Sequence, residues 1–187
     1  MTSMARTVID LARQSDLMLA IVVADAALKR KAEGSVATGG DGFGDLGEEV
    51  SRIPLRHGEA RGRHVLEFAD ERSGSAGESI SRVTMRRLGV PKPVLQQEFS
   101  EGNDTWFVDF WWPGLRIVGE FDGDAKYLNP EMRSGRSAAE VVLAEKKRED
   151  AIRRQVSGFV RWGWAEARSP RLLGARLAGA GLPISSW

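Results

Sequence analysis

The sequence predicts an α/β domain preceded by an N-terminal helical segment, and three observations carry that prediction. Residues 76–187 alternate between helical and extended patterns in the order α-β-β-β-α-β-α. Three short extended runs follow one another between turn signals, as in an antiparallel meander, before a long helix crosses to a further strand. Residues 1–75 hold no comparable strand pattern and are broken by a glycine-rich stretch. The expected boundaries are a helical segment with a Gly-rich loop over 1–74 and an α/β domain over 75–187.

Taken in order, residues 4–31 read as helical, because Val8, Leu11 and Ala12, then Leu19, Val22, Val23, Ala26 and Ala27, recur at helical spacing without Pro or Gly. Six glycines between Gly34 and Gly47 mark a loop, and a basic helix is expected between Arg52 and Phe68 after Pro54. Residues 76–88 form an amphipathic helix with Ile80, Val83, Thr84 and Leu88 on one side, stopped by Gly89 and Pro91. The extended runs are Val94 to Phe99, Thr105 to Trp112 and Leu115 to Asp122. A helix from Ser137 to Val156, an apolar run from Phe159 to Trp164 and a last helix from Pro170 to Gly179 complete the chain.

With 187 residues, 42% hydrophobic and 28% charged, the chain can bury a real core and is not globally disordered. It has no cysteine and two histidines, His57 and His64, which removes disulfide scaffolds, thiol catalysis and sulfur-ligated zinc. Any resident metal is therefore expected to be a hard cation held by oxygen. The most apolar stretch, Leu17 to Leu28, is short and interrupted by Asp25, so no membrane span is expected, and with no signal-peptide pattern the location reads as cytoplasmic. The net charge of +1 conceals a basic C-terminal part, where residues 151–187 carry six arginines against Glu166 alone. That distribution allows a nucleic-acid partner without demanding one.

The chemistry-bearing pattern lies in the second and third runs. A hairpin around Pro113-Gly114, with Trp112 facing Leu115, sets Asp109 opposite Val118 and Glu120 on the diagonal, both on the face of Phe107, Trp111, Arg116, Val118 and Asp122. Trp106, Val108, Phe110, Leu115, Ile117 and Phe121 would fill the other face. Two carboxylates so placed are near enough to meet at one cation.

Glu78 on a helix, Asp109 on one strand, and Glu120 with a downstream basic residue on the next resemble the PD-(D/E)XK nuclease superfamily. More narrowly, Ser75-Ala76-Gly77-Glu78-Ser79, Val108-Asp109-Phe110, Gly119 to Tyr127, and Glu145 to Asp150 ahead of Val160-Arg161-Trp162 resemble a bacterial family related to very-short-patch-repair endonucleases. Members of that family often sit at the C-terminus of AbiEi-like proteins, behind a winged-helix DNA-binding domain. The resemblance covers residues 75–166 and implies a restriction-endonuclease-like three-layer core, α-β-β-β-α-β. It implies a Mg²⁺- or Mn²⁺-dependent DNA endonuclease in which Asp109, Glu120 and Glu78 hold metal, Asp122 is a further ligand, and Lys126 assists the attacking water. The chain departs from the pattern at the lysine: Asp122 stands two residues after Glu120, and Lys126 is the nearest base. No winged-helix pattern stands in residues 1–74, which read as a remnant or connector of that domain.

Other readings stay open at these residues. Ser75-x-x-Glu78 fits a helix-capping box, and Asp122-Gly123 fits a strand-end turn. Glu145 and Glu149 share a helix stripe with Ile152 and Val156, yet Glu149–Arg153 and Asp150–Arg154 also read as ordinary i,i+4 pairs. Gln97 is a candidate for orienting a water or a ligand. Trp106, Trp112, Trp162 and Trp164 read as core, whereas Trp111 on the acidic face is a candidate for stacking on a base. Arg82, Arg86 and Arg87, and likewise Arg153 and Arg154, are candidate phosphate-steering groups. The rival function is a catalytically retired DNA- or partner-binding regulator, antitoxin-like, in which a nuclease fold survives as a scaffold.

Overall fold

A computed structural model describes residues 7–8, 10–12, 17–32, 59–123 and 138–185. The chain divides into two compact units, Met1–Ile80 and Ser81–Trp187. The first contains α1 (Leu17–Ala32), α2 (Glu59–Phe68) and the start of α3 (Ala76–Arg87). Ala20, Ile21, Ala24 and Ala27 of α1 are buried at three-to-four spacing, as is Val65 of α2. The buried Asp25 accepts from the backbone N–H of Asp70 at 2.8 Å. Residues 33–58, with the Gly-rich loop and His57, lie outside the described residues.

The second unit is built on a four-stranded sheet of order β1-β2-β3-β4: β1 (Val94–Glu101), β2 (Asp104–Trp112), β3 (Ile117–Phe121) and β4 (Gly158–Trp162). β1, β2 and β3 are an antiparallel meander, and β4 runs parallel to β3 after the crossover through α4 (Ala138–Arg153). The short α5 (Trp164–Ala167) and α6 (Pro170–Gly179) follow. The α/β class and the mixed sheet are thus as the sequence order implies.

The two faces of the sheet are covered differently. On one, Phe110 stacks between Trp112 and Trp162, and the Trp162 indole donates to Ser81 of α3 at 2.8 Å. Gly119 lies under this stack: a Cβ there would stand 2.7 Å from the Trp162 ring and 3.0 Å from that of Trp112, so only hydrogen fits. On the other face, Ile152 of α4 packs with Phe99, Val108 and Val118, flanked by Trp111 and Phe159. The acidic face of the hairpin is therefore a core face capped by a helix.

The β2–β3 connection corrects the expected register. Trp112 pairs with Ile117 and Phe110 with Gly119, so the turn takes four residues, Pro113 to Arg116, instead of two. Arg116 adopts a left-handed φ of 53°, and its carbonyl accepts from Ser157 at 2.7 Å. That contact draws the chain into a turn where a strand start was expected at Leu115 and Arg116. The slip is by two residues, so from Phe110 to Trp112 and from Ile117 to Gly119 it leaves each side chain on its expected face. The β1–β2 hairpin turns at Gly102-Asn103, where Gly102 has a φ of 61°.

Candidate acidic site

The two central carboxylates stand where the β2–β3 ladder opens. Its last pair is Phe110 with Gly119, and the next residues in line are Asp109 and Glu120, directly opposed where the sequence had set them on a diagonal. Asp109 does not continue the ladder with its backbone. Its carboxylate turns toward β3 and accepts the Phe121 N–H through Oδ2 at 2.8 Å, taking the place a main-chain carbonyl would fill.

The irregularity extends into β1. The β1–β2 pairs run Val94–Trp111 and Leu95–Phe110, skip Gln96, and resume at Gln97–Val108. Gln96 has a φ of 49°, unusual for a residue other than glycine, and its amide lies 3.4 Å from Oδ1 of Asp109. Beyond this point Val108 packs with Val118, although a regular strand would turn it to the Phe110 side. Gln96 is thus the amide at the site, whereas Gln97 donates to the Glu98 carbonyl at 3.0 Å.

Glu120 is buried, at 7% exposure, and its charge is met by two arginines. Arg148 of α4 donates through Nη2 to both oxygens, at 2.8 and 2.7 Å. Arg161, directly beside Glu120 in the parallel β3–β4 register, donates to Oε2 through Nε and Nη2, at 3.1 and 2.9 Å. Glu145 joins the group: Arg148 donates to both its oxygens at 2.9 Å, and Arg161 to its Oε1. Arg161 further meets Glu149 at 3.1 Å, and Glu149 accepts from Arg153 at 2.7 Å, while Phe159 lies under the guanidinium groups of Arg153 and Arg161.

The electrostatics follow from that packing. Burial alone pulls Arg148 toward losing its proton, but Glu145 and Glu120 outweigh it, and the net effect raises its pKa further. Arg161 is raised in the same way. Burial pushes the Glu145 carboxyl up, and the hydrogen bonds and charges of Arg148 and Arg161 overcome this to hold it below the usual carboxylate range.

The remaining candidates fall out as follows. Asp122 follows Phe121 at the end of β3, half-buried, with its N–H donating to the Trp162 carbonyl at 2.9 Å. Lys126 lies outside the described residues. Glu78 belongs to the first unit, where it closes the start of α3: its N–H donates to Ser75 Oγ at 3.2 Å, while its carboxylate accepts from the Ser75 hydroxyl at 2.9 Å and the Gly74 N–H at 2.8 Å. Of the expected helix pairs, Glu149–Arg153 forms, but Arg154 donates to Glu101 of β1. Trp111 packs edge-on against Phe99, with centroids 5.2 Å apart. Arg82 is buried, and Arg86 and Arg87 are exposed.

Among the described residues, no group of three or more His, Cys, Asp or Glu side chains converges as metal ligands would. The oxygen chemistry of Asp109 and Glu120 is right for a hard cation, but both Glu120 oxygens already accept from guanidinium groups. As arranged, the site does not fit a bound Mg²⁺. Sequence reasoning missed Arg148 and Arg161 as site residues. One signal was present: Arg161 is the charge that interrupts the apolar run from Phe159 to Trp164.

The chain is similar to two Mycobacterium tuberculosis proteins, uncharacterized protein MT2308 of strain CDC 1551 / Oshkosh and uncharacterized protein Rv2248 of strain ATCC 25618 / H37Rv. Each is 33% identical over 132 residues, covering 69% of this chain and 45% of the relative. The chain thus spans less than half the length of these curated relatives. No family model matches it, and no solved structure matches it significantly. No helix among the described residues is long and apolar enough to cross a membrane.

Proposed function

We propose that the second unit is a nuclease-type domain that hydrolyses DNA phosphodiester bonds in a reaction requiring Mg²⁺ or Mn²⁺, with Asp109 and Glu120 as its acidic centre. The observation that carries the reading is their juxtaposition: two acidic residues stand in line just beyond the last β2–β3 pair, where the adjoining strands part, on a sheet face crossed by a helix. The element order around them matches what the nuclease resemblance implies. Asp122 at the strand end and, beyond it in the sequence, Lys126 are the further members that the resemblance offers within this unit. In this structure Glu120 is engaged by Arg148 and Arg161. What the chain's own groups do is definite: Asp109 fixes the end of β3 through Phe121, and Arg148 and Arg161 both pair with Glu120.

A second reading draws on the same arginines. A carboxylate whose two oxygens both accept from guanidinium groups suits a retired centre, in which the fold serves as an antitoxin-like binder of DNA or a partner. Supercoiled plasmid incubated with Mg²⁺ or Mn²⁺ separates the two. Nicking that Asp109→Ala and Glu120→Ala abolish, and EDTA prevents, is the outcome expected. Retention of DNA in EDTA with no nicking under either metal would replace the enzyme by the binder.

A further inference from the structure

We infer that Gln96 is the positioning residue of Asp109: a left-handed turn of β1 aims its side-chain amide at Oδ1, and the carboxylate is thereby held from β1 as well as from β3. The inference rests on the reading of Asp109 as a working carboxylate, but the hold itself is read out without DNA.

Two features of the strand pair argue for this role. The first is the residue type. Where the β1–β2 pairing skips Gln96 and Asp109, the twist turns Phe99 and Val108 toward Ile152 of α4 and sets Gln96 at a φ of 49°. Glycine takes that conformation without strain and asparagine tolerates it, whereas the Cβ of glutamine crowds the following carbonyl. The twist alone therefore does not explain a glutamine, and strain kept at one position points to what its side chain does. The second feature is where that side chain ends. Its Nε2 lies 3.4 Å from Oδ1 of Asp109, while Oδ2 accepts the Phe121 N–H at 2.8 Å. The terminal torsion of an aspartate is soft, so a bond to one oxygen leaves the carboxylate free to swing. Donors on both oxygens, one from each flanking strand, fix its plane. Gln97, the next residue, has the same side chain but turns it to the Glu98 carbonyl, so the left-handed backbone at residue 96 is what brings an amide to the site.

The test is hydrogen exchange at the Phe121 amide, followed by ¹H–¹⁵N NMR on the full chain, together with urea midpoints and the plasmid assay, for wild type, Gln96→Gly and Gln96→Asn. Glycine relieves the backbone and has no amide; asparagine suits the left-handed backbone but is shorter by one methylene. Both variants are expected to keep the wild-type midpoint while Phe121 exchanges about tenfold faster and plasmid nicking slows about tenfold. If one variant does not fold, the other carries the same expectation. Faster Phe121 exchange at an unchanged midpoint, with no nicking by the wild type, upholds the hold on Asp109 and removes the nuclease reading. Phe121 exchange at the wild-type rate overturns the inference. Nicking that the variants leave undiminished overturns it as well, with the nuclease reading left in place. Faster exchange that tracks a lowered midpoint also overturns it, because the sheet end as a whole has then loosened.

Discussion

Removing Arg148 is the perturbation whose cost the structure fixes most closely. Breaking a buried ion pair by deleting one partner leaves an uncompensated charge and costs about 3–5 kcal/mol. Here the loss is smaller, because Arg161 keeps two of the four hydrogen bonds to Glu120 and the Arg148 side chain is itself 17% exposed. About half the full value, roughly 2 kcal/mol, is expected for Arg148→Ala in metal-free buffer. For a chain of this size each kcal/mol moves the melting midpoint by about 2–4 °C, so a drop of about 4–8 °C follows. Urea denaturation of wild type, Arg148→Ala, Glu120→Ala and the double variant gives the coupling, expected at about 1–2 kcal/mol. Arg154→Ala is the control: its partner Glu101 is solvent-exposed, and no measurable change is expected. An Arg148→Ala loss within about 0.5 kcal/mol, the range of ordinary surface substitutions, would refute the view of Glu120 as a buried charge dependent on this arginine.

Three further outcomes follow from the packing. Gly119→Ala, whose methyl would meet the Trp162 ring, is expected to lower stability by about 1–3 kcal/mol in urea titration, and an unchanged midpoint would mean that the aromatic stack is looser than described. Ser81→Ala strips the buried Trp162 indole of its acceptor and is expected to cost about 1–3 kcal/mol; a shift in tryptophan fluorescence at unchanged stability would argue that the indole finds another partner. Glu145, held below the usual value of 4.5, contributes stability that is complete above that pH and drains away as pH falls through its lower folded value. Glu145→Gln should therefore flatten the loss of stability between neutral and acid pH, and parallel acid profiles for variant and wild type would contradict this.

How much was legible in the sequence depended on the range of the interaction involved. The elements of the second unit and the parity of Asp109, Trp111, Val118 and Glu120 follow from period-two patterning, which a register slip of two residues does not disturb. The slip itself was hidden, since Pro113-Gly114 gives a sufficient local turn and the hydrogen bonds from Ser157 and Gly158 that shape Arg116 come from far along the chain. The skipped pair at Gln96 and Asp109 has no local signature either, since the carboxylate that replaces a backbone acceptor reaches across to the neighbouring strand. Arg148 and Arg161 stand in the runs that carry the resemblance, yet their role at Glu120 was hidden for a similar reason. Their meeting at Glu120 needs the parallel β3–β4 register and the crossing of α4, neither of which spacing along one segment encodes. Glu78 was read as both cap and ligand, and its contacts within its own unit are those of the cap.

The most direct measurement is a crystal of the full chain grown with Mn²⁺ and a short DNA duplex, scanned for anomalous scattering. The proposed nuclease reading expects one peak shared by the carboxylates of residues 109 and 120. A map with no peak at that pair, and both oxygens of Glu120 still held by Arg148, would contradict it.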